Sequence, residues 1–145
     1  MMVNETIVEI ETESDAEACF YLIQQLRPHI ANSAEFITHW HKQSQEEYRL
    51  IALYRDNQPV GLAGYRIQHN LMHGRHLYVD DLVTDTSMRS SGIGAQLLQY
   101  LVSCGQQMDC LKLVLDTPLT NELGHRFYYR QRLLAKALRF SRPLI

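Results

Sequence analysis

The sequence predicts a single α/β domain, and three observations lead to that fold class. Apolar residues with helical spacing alternate with strand-like runs along the whole chain. Two β-rich runs flank a polar turn near the middle, which is typical of a hairpin. Another strand-like run leads directly into a glycine pair at the start of an amphipathic helix. A chain of 145 residues is long enough for one core and short for two, so we expect residues 1–145 to form one domain.

The first third of the chain predicts one strand followed by two helices. The stretch TIVEIET alternates apolar and polar residues, as a half-buried strand does. Ser14 stands three residues before a glutamate, which is the spacing of a capping box. The helix that begins there should end near Arg27, because Pro28 disfavours helical geometry in the residue before it. Ser33 is expected to cap the second helix.

The middle of the chain predicts a hairpin and a further strand. Residues 48–68 hold two β-rich runs around the polar turn Asp-Asn-Gln-Pro at 56–59. The run HLYVDDLVTD predicts the next strand and contains two adjacent acids, Asp80 and Asp81. Adjacent strand residues face opposite sides of a sheet, so only one of these carboxylates should enter a given site unless a bulge intervenes.

The last third predicts a helix, a strand, a second helix and a closing strand. The amphipathic helix after the glycines should end near Gly105. The short apolar run LKLVLD suits a strand buried on both faces. Thr120 can cap the last helix. The final run, LLAKALRF, is expected to form a closing strand, although its leucines and alanines suit a helix as well.

Composition and charge argue against several classes of function. The formal net charge of −2 and the absence of a basic stripe give no signature of nucleic-acid binding. No apolar run approaches the roughly 20 residues that span a bilayer. The first residues are charged every few positions and contain no apolar signal segment, so we expect no membrane association. Cys19, Cys104 and Cys110 lack metal or redox spacing and indicate reduced thiols in a cytoplasmic protein.

Histidines cluster in two places and raise the question of a metal site. One pair is His39 and His41, and a second group is His69, His73 and His76. No cysteine or nearby carboxylate completes either set, so we expect surface or loop histidines and no metal.

The glycine pair Gly92 and Gly94 has the position of an anion site, because a helix start presents unpaired N–H groups and glycine lets a phosphate approach them. A Walker loop would require Gly-Lys-Ser/Thr, whereas Ala95 follows the second glycine. A dinucleotide fingerprint would require a small residue where Leu97 stands. A plain glycine-rich helix start is the remaining structural alternative.

Two blocks of the sequence resemble the GNAT family of N-acetyltransferases. Residues 89–95 match its Arg/Gln-x-x-Gly-x-Gly/Ala signature, which cradles the pyrophosphate of acetyl-CoA. Residues 120–133, TNELGHRFYYRQRL, resemble its Asn-x-x-Ala-x-x-Phe-Tyr-x-x-x-Gly-Phe stretch. This chain departs from the family pattern at Ser90, at Arg132 in place of a glycine, and at Leu133 in place of an aromatic residue.

The resemblance implies a GNAT fold, in which about four helices flank a mixed central sheet, and acetyl-CoA as cosubstrate. The strand before the glycines is expected to pair with the pantetheine arm through its backbone, and an N–H near Val83 to stabilise the oxyanion. Asn121 corresponds to an asparagine that binds the CoA arm, although it could equally cap a helix. The implied cofactor-binding residues are Leu82, Val83, Thr84, Arg89, Ser90, Ser91, Gly92, Ile93, Gly94, Ala95 and Asn121.

For catalysis, the resemblance implies that Tyr128 protonates the departing thiolate, and Tyr129 is the alternative one residue on. The acid pair resembles the Glu-Asp pair of diamine acetyltransferases, which implies that Asp80 binds the amine or serves as a water-mediated base. Asp81 is then structural. That both acids are structural stays open.

The resulting hypothesis is an N-acetyltransferase that acts on a primary amine of a small molecule, either polyamine-like or amino-acid-like. Direct attack in a ternary complex is expected, because no cysteine lies in a motif for an acyl-enzyme. A protein lysine or N-terminus is an alternative acceptor, and a non-catalytic acyl-CoA-binding module is an alternative class. We expect no nucleic-acid or membrane partner, and a homodimer is compatible with the sequence.

Overall fold

The computed structural model of the chain describes residues 4–88 and 91–145. Five strands and five helices are found in this part of the chain, which confirms the α/β fold class. In chain order they are β1 (Glu5–Glu9), α1 (Glu13–Ala18), α2 (Phe20–Leu26), α3 (Ser33–Ser44), β2 (Arg49–Arg55), β3 (Gln58–Asn70), β4 (Gly74–Thr84), α4 (Ile93–Gln107), β5 (Lys112–Leu115) and α5 (Glu122–Arg130).

The helix beginnings differ by one or two residues from those predicted. Thr12, and not Ser14, caps α1 by accepting a hydrogen bond from the Asp15 N–H at 3.1 Å. The side chain of Asn32, and not Ser33, caps α3. In both places several neighbouring residues have capping side chains, and the path of the chain into the helix decides which one is used.

The predicted first helix is interrupted at Cys19, which is why the structure has five helices where about four were expected. Cys19 caps the end of α1 and the start of α2 with φ −93° and ψ −2°. Its side chain is fully buried, so the break places it in the core. The second segment then ends at Arg27, as Pro28 predicted.

The five strands form one sheet in the order β1-β2-β3-β4-β5. The pairs β1–β2, β2–β3 and β3–β4 are antiparallel. The β2–β3 turn consists of Asp56 and Asn57 alone, both with positive φ, so the strand resumes two residues earlier than the predicted four-residue turn.

Helices pack on both faces of the sheet. On one face, α1, α2 and α3 bury a core that includes Leu22, Phe36, Trp40 and Leu50. On the other face α4 lies so close to β3 that a Cβ on Gly61 would stand 2.5 Å from Ile93 Cγ2. This contact places the beginning of α4 beside the end of β4, because Gly61 pairs with Thr84.

Two predictions for the last third are wrong. The strand β5 is not buried on both faces: Lys112 is exposed, its other residues are only partly buried, and β5 is an edge of the sheet. The closing strand predicted at 133–140 is absent from the described residues, which carry no regular structure there. The α4 helix ends at Gln107, close to the predicted Gly105.

The chain separates into two compact units, Met1–Val114 and Leu115–Ile145. The first contains the strands β1–β4, the helices α1–α4 and β5 up to Val114, and the second contains α5 and the C-terminal residues. That residues 1–145 behave as one domain therefore stays a prediction. Among residues 4–88 and 91–145, no helix combines the length and apolar character that a bilayer crossing requires.

Candidate active site

A β-bulge in β4 lies at the two adjacent acids. Gly64 pairs with Asp81, and the next residue of β3, Tyr65, pairs with Val79, so Asp80 is the extra residue in the ladder. Alternation along β4 is therefore broken at this point. Leu77 lies against α4, whereas Val83 packs against the core of the opposite face, although both have odd numbers. The bulge is the exception stated for the separation of Asp80 and Asp81 onto opposite faces.

Asp81 is held by an arginine and a tyrosine from two other elements. Arg27, at the end of α2, donates from Nε and Nη2 to Asp81 Oδ1 at 3.2 and 3.0 Å. Its Nη2 also donates to the Asp80 carbonyl at 3.0 Å, which ties α2 to the bulge. Tyr48 donates from its hydroxyl to Asp81 Oδ2 at 2.7 Å. Burial, followed by the charge of Asp81, raises the pKa of Tyr48, so its hydroxyl keeps the proton that it donates.

Gly64 makes room for this arrangement. A Cβ at position 64 would overlap the hydroxyl of Tyr48. The tyrosine ring therefore crosses the strand directly above the glycine and reaches Asp81 on the neighbouring strand. A close approach of this kind is a physical reason for glycine in the middle of a long strand.

Asp80 has a different arginine partner from Asp81. Its Oδ2 accepts a hydrogen bond from Arg66 Nε at 3.0 Å. Burial raises the pKa of Asp80, and the Arg66 guanidinium opposes that rise. The guanidinium carbon of Arg66 also lies 5.8 Å from the centre of the Tyr48 ring. The two carboxylates thus share one network in which each has its own arginine.

A cavity of about 420 Å³ opens beside Asp81, between α2, α3 and the sheet. Its wall is partly apolar and partly polar. The lining residues are Ile23, Arg27, His29, Ile30, Phe36, His39, Gln43, Tyr48 and Asp81. Asp81 therefore borders the cavity, whereas Asp80, which we expected to face the amine, is not among the lining residues.

Sequence reasoning missed three residues of this network, namely Arg27, Tyr48 and Arg66. One signal was available, because two adjacent carboxylates in an apolar strand require positively charged or hydrogen-bonding partners. Which residues supply them depends on strand register and on the position of the bulge, and neither can be read from spacing.

The glycine motif lies at the beginning of α4, and its described part fits an anion. Gly92 is the N-cap residue in the left-handed conformation with φ +83°, and no side chain among the described residues caps this helix end. A Cβ on Gly92 would meet no described atom within 4 Å. The first N–H groups of the 15-residue helix, from Ile93 to Ala95, are therefore available to a ligand. Arg89 and Ser90 lie outside the described residues.

Other described parts of the motif have clear structural partners. Ser91 donates a hydrogen bond from its hydroxyl to the Met88 carbonyl, which closes the turn before the helix. Ile93 is buried against Gly61. Gly94 lies in the first turn of α4.

The end of β4 extends past its neighbour β5. The Leu111 N–H donates to the Arg75 carbonyl at 2.8 Å, so β5 begins beside the start of β4. Because β5 has four residues and β4 has eleven, β5 cannot reach the residues Leu82–Thr84. In the described part of the chain, these residues pair with β3 on one edge, which leaves backbone groups on the other edge for a ligand.

The second compact unit holds the remaining predicted residues. Asn121, and not Thr120, caps α5: its Oδ1 accepts from the Gly124 N–H at 3.2 Å, and its Nδ2 donates to Thr117 Oγ1 at 3.0 Å. Tyr128 is partly buried, and burial raises its pKa, whereas Tyr129 is 56% exposed. These residues are correctly placed on one helix, and their catalytic roles stay predictions.

The end of α5 shows why the family pattern has a glycine at the position that Arg132 occupies in this chain. Arg132 adopts the left-handed conformation with φ +69°. The Leu133 N–H donates to the Tyr128 carbonyl at 3.0 Å, and the Arg132 N–H donates to the Tyr129 carbonyl at 3.0 Å. These two bonds form a Schellman motif, in which glycine is usual at the left-handed position.

The fold and the site together define a class of protein. An α/β sheet carries a helix start with unpaired N–H groups on one side and a cavity with a partly buried carboxylate network on the other. A sequence model of the Acetyltransferase (GNAT) family matches residues 10–132. The chain belongs to this family of acyltransferases, which confirms the resemblance found in the sequence.

Two curated relatives match part of the chain. An uncharacterized N-acetyltransferase, YhdJ, from Bacillus subtilis (strain 168) is 33% identical over 84 residues, or 58% of this chain and 59% of that protein. A glucosamine 6-phosphate N-acetyltransferase from Trypanosoma brucei brucei is 32% identical over 79 residues, or 50% of this chain and 54% of that protein. The chain thus matches less than two thirds of the length of either relative.

A solved structure shows the same fold over the whole chain. An aminoglycoside N-acetyltransferase in complex with CoA aligns with a TM-score of 0.85 at 17% identity, covering 100% of this chain and 98% of that chain. At this level of identity the similarity concerns the fold alone.

Proposed function

We propose that this protein transfers the acetyl group of acetyl-CoA to a primary amine of a small molecule. The observation that carries the proposal is the cavity of about 420 Å³ whose wall includes Asp81, next to the raised-pKa carboxyl of Asp80. A site of this size suits a small molecule. The named relatives, which act on glucosamine 6-phosphate and on aminoglycosides, support an acceptor of that class.

The amine must lose a proton before it can attack. A primary amine with a pKa near 10.4 is about 99.9% protonated at neutral pH. In our proposal Asp81 orients the ammonium group at the cavity wall, and Asp80 accepts its proton through water. A raised pKa makes Asp80 a stronger base than an exposed aspartate, which suits that role.

Acetyl-CoA, when bound, supplies an activated acyl group on a thiol leaving group. The open N–H groups at the start of α4 would hold its pyrophosphate, with Gly92 and Gly94 admitting the phosphates and Arg89 contributing its positive charge. The free edge at Leu82–Thr84 would hold the pantetheine arm, and Asn121 would contact the same arm. The Val83 N–H would stabilise the negative charge that develops on the acyl oxygen.

Tyr128 would give its proton to the departing sulfur. Because burial raises its pKa, the hydroxyl stays protonated at neutral pH and can act as an acid. The amine attacks directly in this proposal, since among the described residues Cys19, Cys104 and Cys110 are free thiols outside the cavity lining. The three free cysteines also support a cytoplasmic setting.

A panel of primary amines tests the proposal, with CoA release as the measurement. We expect turnover with at least one small amine, and a variant Gly94→Asp should lose both turnover and thermal stabilisation by acetyl-CoA, because it places a side chain and a negative charge at the pyrophosphate. Acetylation of lysine peptides alone would favour the protein-acceptor alternative. Stabilisation by acetyl-CoA without turnover of any amine would favour a non-catalytic binding module.

A further inference from the structure

The charged and polar groups that line the acceptor cavity restrict its ligand. Among the described residues Asp81 is the only carboxylate in the lining, and Arg27 neutralises it through two hydrogen bonds. The other polar lining groups are the imidazoles of His29 and His39, the amide of Gln43 and the hydroxyl of Tyr48, all in the described part of the chain. The wall therefore carries no surplus negative charge.

Arg27 lines the cavity and has hydrogen-bonding capacity that the acid pair does not use. A guanidinium has five N–H donors. Within the described residues, Nε and Nη2 are engaged by Asp81 and by the Asp80 carbonyl, which leaves the Nη1 hydrogens for a ligand. The Arg27 side chain is 43% exposed, so a ligand can reach it. Planar N–H groups of this kind suit carboxylates and phosphates.

The two histidines lie on different elements that border the same cavity. His29 lies between α2 and α3, and His39 lies on α3. Glu35, which is not among the lining residues, lies near His39, with 3.8 Å between Glu35 Oε1 and His39 Nε2. An imidazole donates a hydrogen bond in its neutral and its protonated form, so both rings can serve an anion at neutral pH.

We propose that the acceptor carries an anionic group, a carboxylate or a phosphate, in addition to its amine. This inference rests on the proposed function and names the substrate class of the same site. The ammonium group lies at Asp81, and the anion is bound by Arg27, His29 and His39. A polyamine is disfavoured, because a second ammonium group would meet a guanidinium and two imidazoles with no unpaired carboxylate.

Titration calorimetry in the absence of acetyl-CoA separates this inference from catalysis. The probes are two matched pairs, glucosamine 6-phosphate with glucosamine and alanine with alaninamide, together with spermidine. We expect the anionic member of at least one pair to bind at least about 10-fold more tightly than the counterpart that lacks the anionic group, and spermidine to bind most weakly. The two pairs distinguish a phosphate from a carboxylate.

Variants assign the preference to the cavity. His29→Phe and His39→Phe should each weaken binding of the anionic probe by about 10-fold and leave binding of the counterpart without the anionic group unchanged. His41→Phe is the matched control: it lies on the same helix as His39, its Nε2 contacts Glu13 at 2.6 Å, and it is outside the cavity lining. It should bind all probes like the unchanged protein.

Several results would overturn the inference. They are equal or tighter binding of the member without the anion in both pairs, spermidine binding as tightly as the preferred anionic probe, no binding of any anionic probe, or histidine variants that behave like His41→Phe. A charge preference in binding without CoA release would keep this inference and contradict the proposed function. CoA release from spermidine with no preference for anions would do the reverse.

Discussion

At the scale of single residues, one bulged aspartate separates two neighbouring carboxylates into different chemical states. Asp81 accepts hydrogen bonds from Arg27 and Tyr48 at the cavity wall, while Asp80 is partly buried against Arg66 with a raised pKa. Because the two acids have different partners, they can divide the tasks of binding a cation and accepting a proton.

The pairing of Asp80 with Arg66 leads to a prediction about pH dependence. The guanidinium of Arg66 lowers the pKa of Asp80 against the effect of burial, so Arg66→Gln should raise that pKa further. A base must be deprotonated to act, and the acid limb of the pH profile of kcat/KM should therefore move to higher pH. The loss of activity should be largest at low pH and should disappear at high pH.

Arg55→Gln serves as the control for this measurement. Arg55 Nη2 lies 2.6 Å from Glu5 Oε1 in the β1–β2 strand pair. Among the described contacts, none joins Arg55 to Asp80 or Asp81. Its profile should keep the original acid limb. An unmoved limb in Arg66→Gln would show that Asp80 is not the base.

Tyr128→Phe tests the proposed acid. The change keeps the ring and its edge contact with Phe127, so stability and acetyl-CoA binding should hardly change. We expect kcat to fall by about 10- to 10³-fold, within the range for loss of a general acid. The deficit should narrow as the pH rises past about 8.5, because a thiolate then leaves without protonation.

Tyr129→Phe is the matched control on the same helix. Tyr129 is 56% exposed and lies about 100° around the helix from Tyr128. Its kcat should be unchanged. A defect in Tyr129→Phe with an active Tyr128→Phe would mean that the motif alignment is displaced by one residue. If both variants are active, Tyr128 contributes to packing and is not the acid.

At the scale of the elements, the end of α5 carries backbone strain. Arg132 is left-handed at the position where a Schellman motif favours glycine. A left-handed conformation costs a residue with a Cβ roughly 1–2 kcal/mol. Arg132→Gly removes that cost but makes the unfolded chain more flexible. We therefore expect the free energy of unfolding to rise by about 0.5–1 kcal/mol.

Denaturant titration measures this change, and Arg130→Gly is the control. Arg130 is the last residue of α5, and glycine at a helical position should lower the free energy of unfolding by up to about 1 kcal/mol. Opposite signs for the two substitutions are expected. Destabilisation by Arg132→Gly would show that the arginine side chain contributes more than the strain costs.

At the scale of the whole molecule, the prediction of one domain has a direct test. The single tryptophan, Trp40, is 7% exposed in the core of the first compact unit, so its fluorescence reports on Met1–Val114. Far-ultraviolet circular dichroism reports on all helices and strands. If the chain is one domain, thermal unfolding should give coincident midpoints for the two signals. Two separate transitions would show that Leu115–Ile145 unfolds independently.

Much of the fold could be predicted from the sequence, because local patterns determine it. The strand pattern before the glycines, the helical stripe after them and the end of α2 before Pro28 all depend on residues close together in the chain. The motif at 89–95 predicted the family for the same reason, because its arginine and glycines are neighbours in the sequence. Helix caps were misplaced by one or two residues where several capping side chains stand together, as at Thr12 and Ser14.

Only the tertiary structure decided which groups share the acceptor site. The bulge at Asp80 depends on the register of two strands, and Asp81 borders the cavity where the family resemblance implied Asp80. Arg27 and Tyr48 lie 54 and 33 residues from Asp81 in sequence, and they reach it because α2 ends over the bulge and Gly64 leaves space for the tyrosine ring. Local patterns report the geometry of one element, whereas a buried charge network depends on how several elements meet.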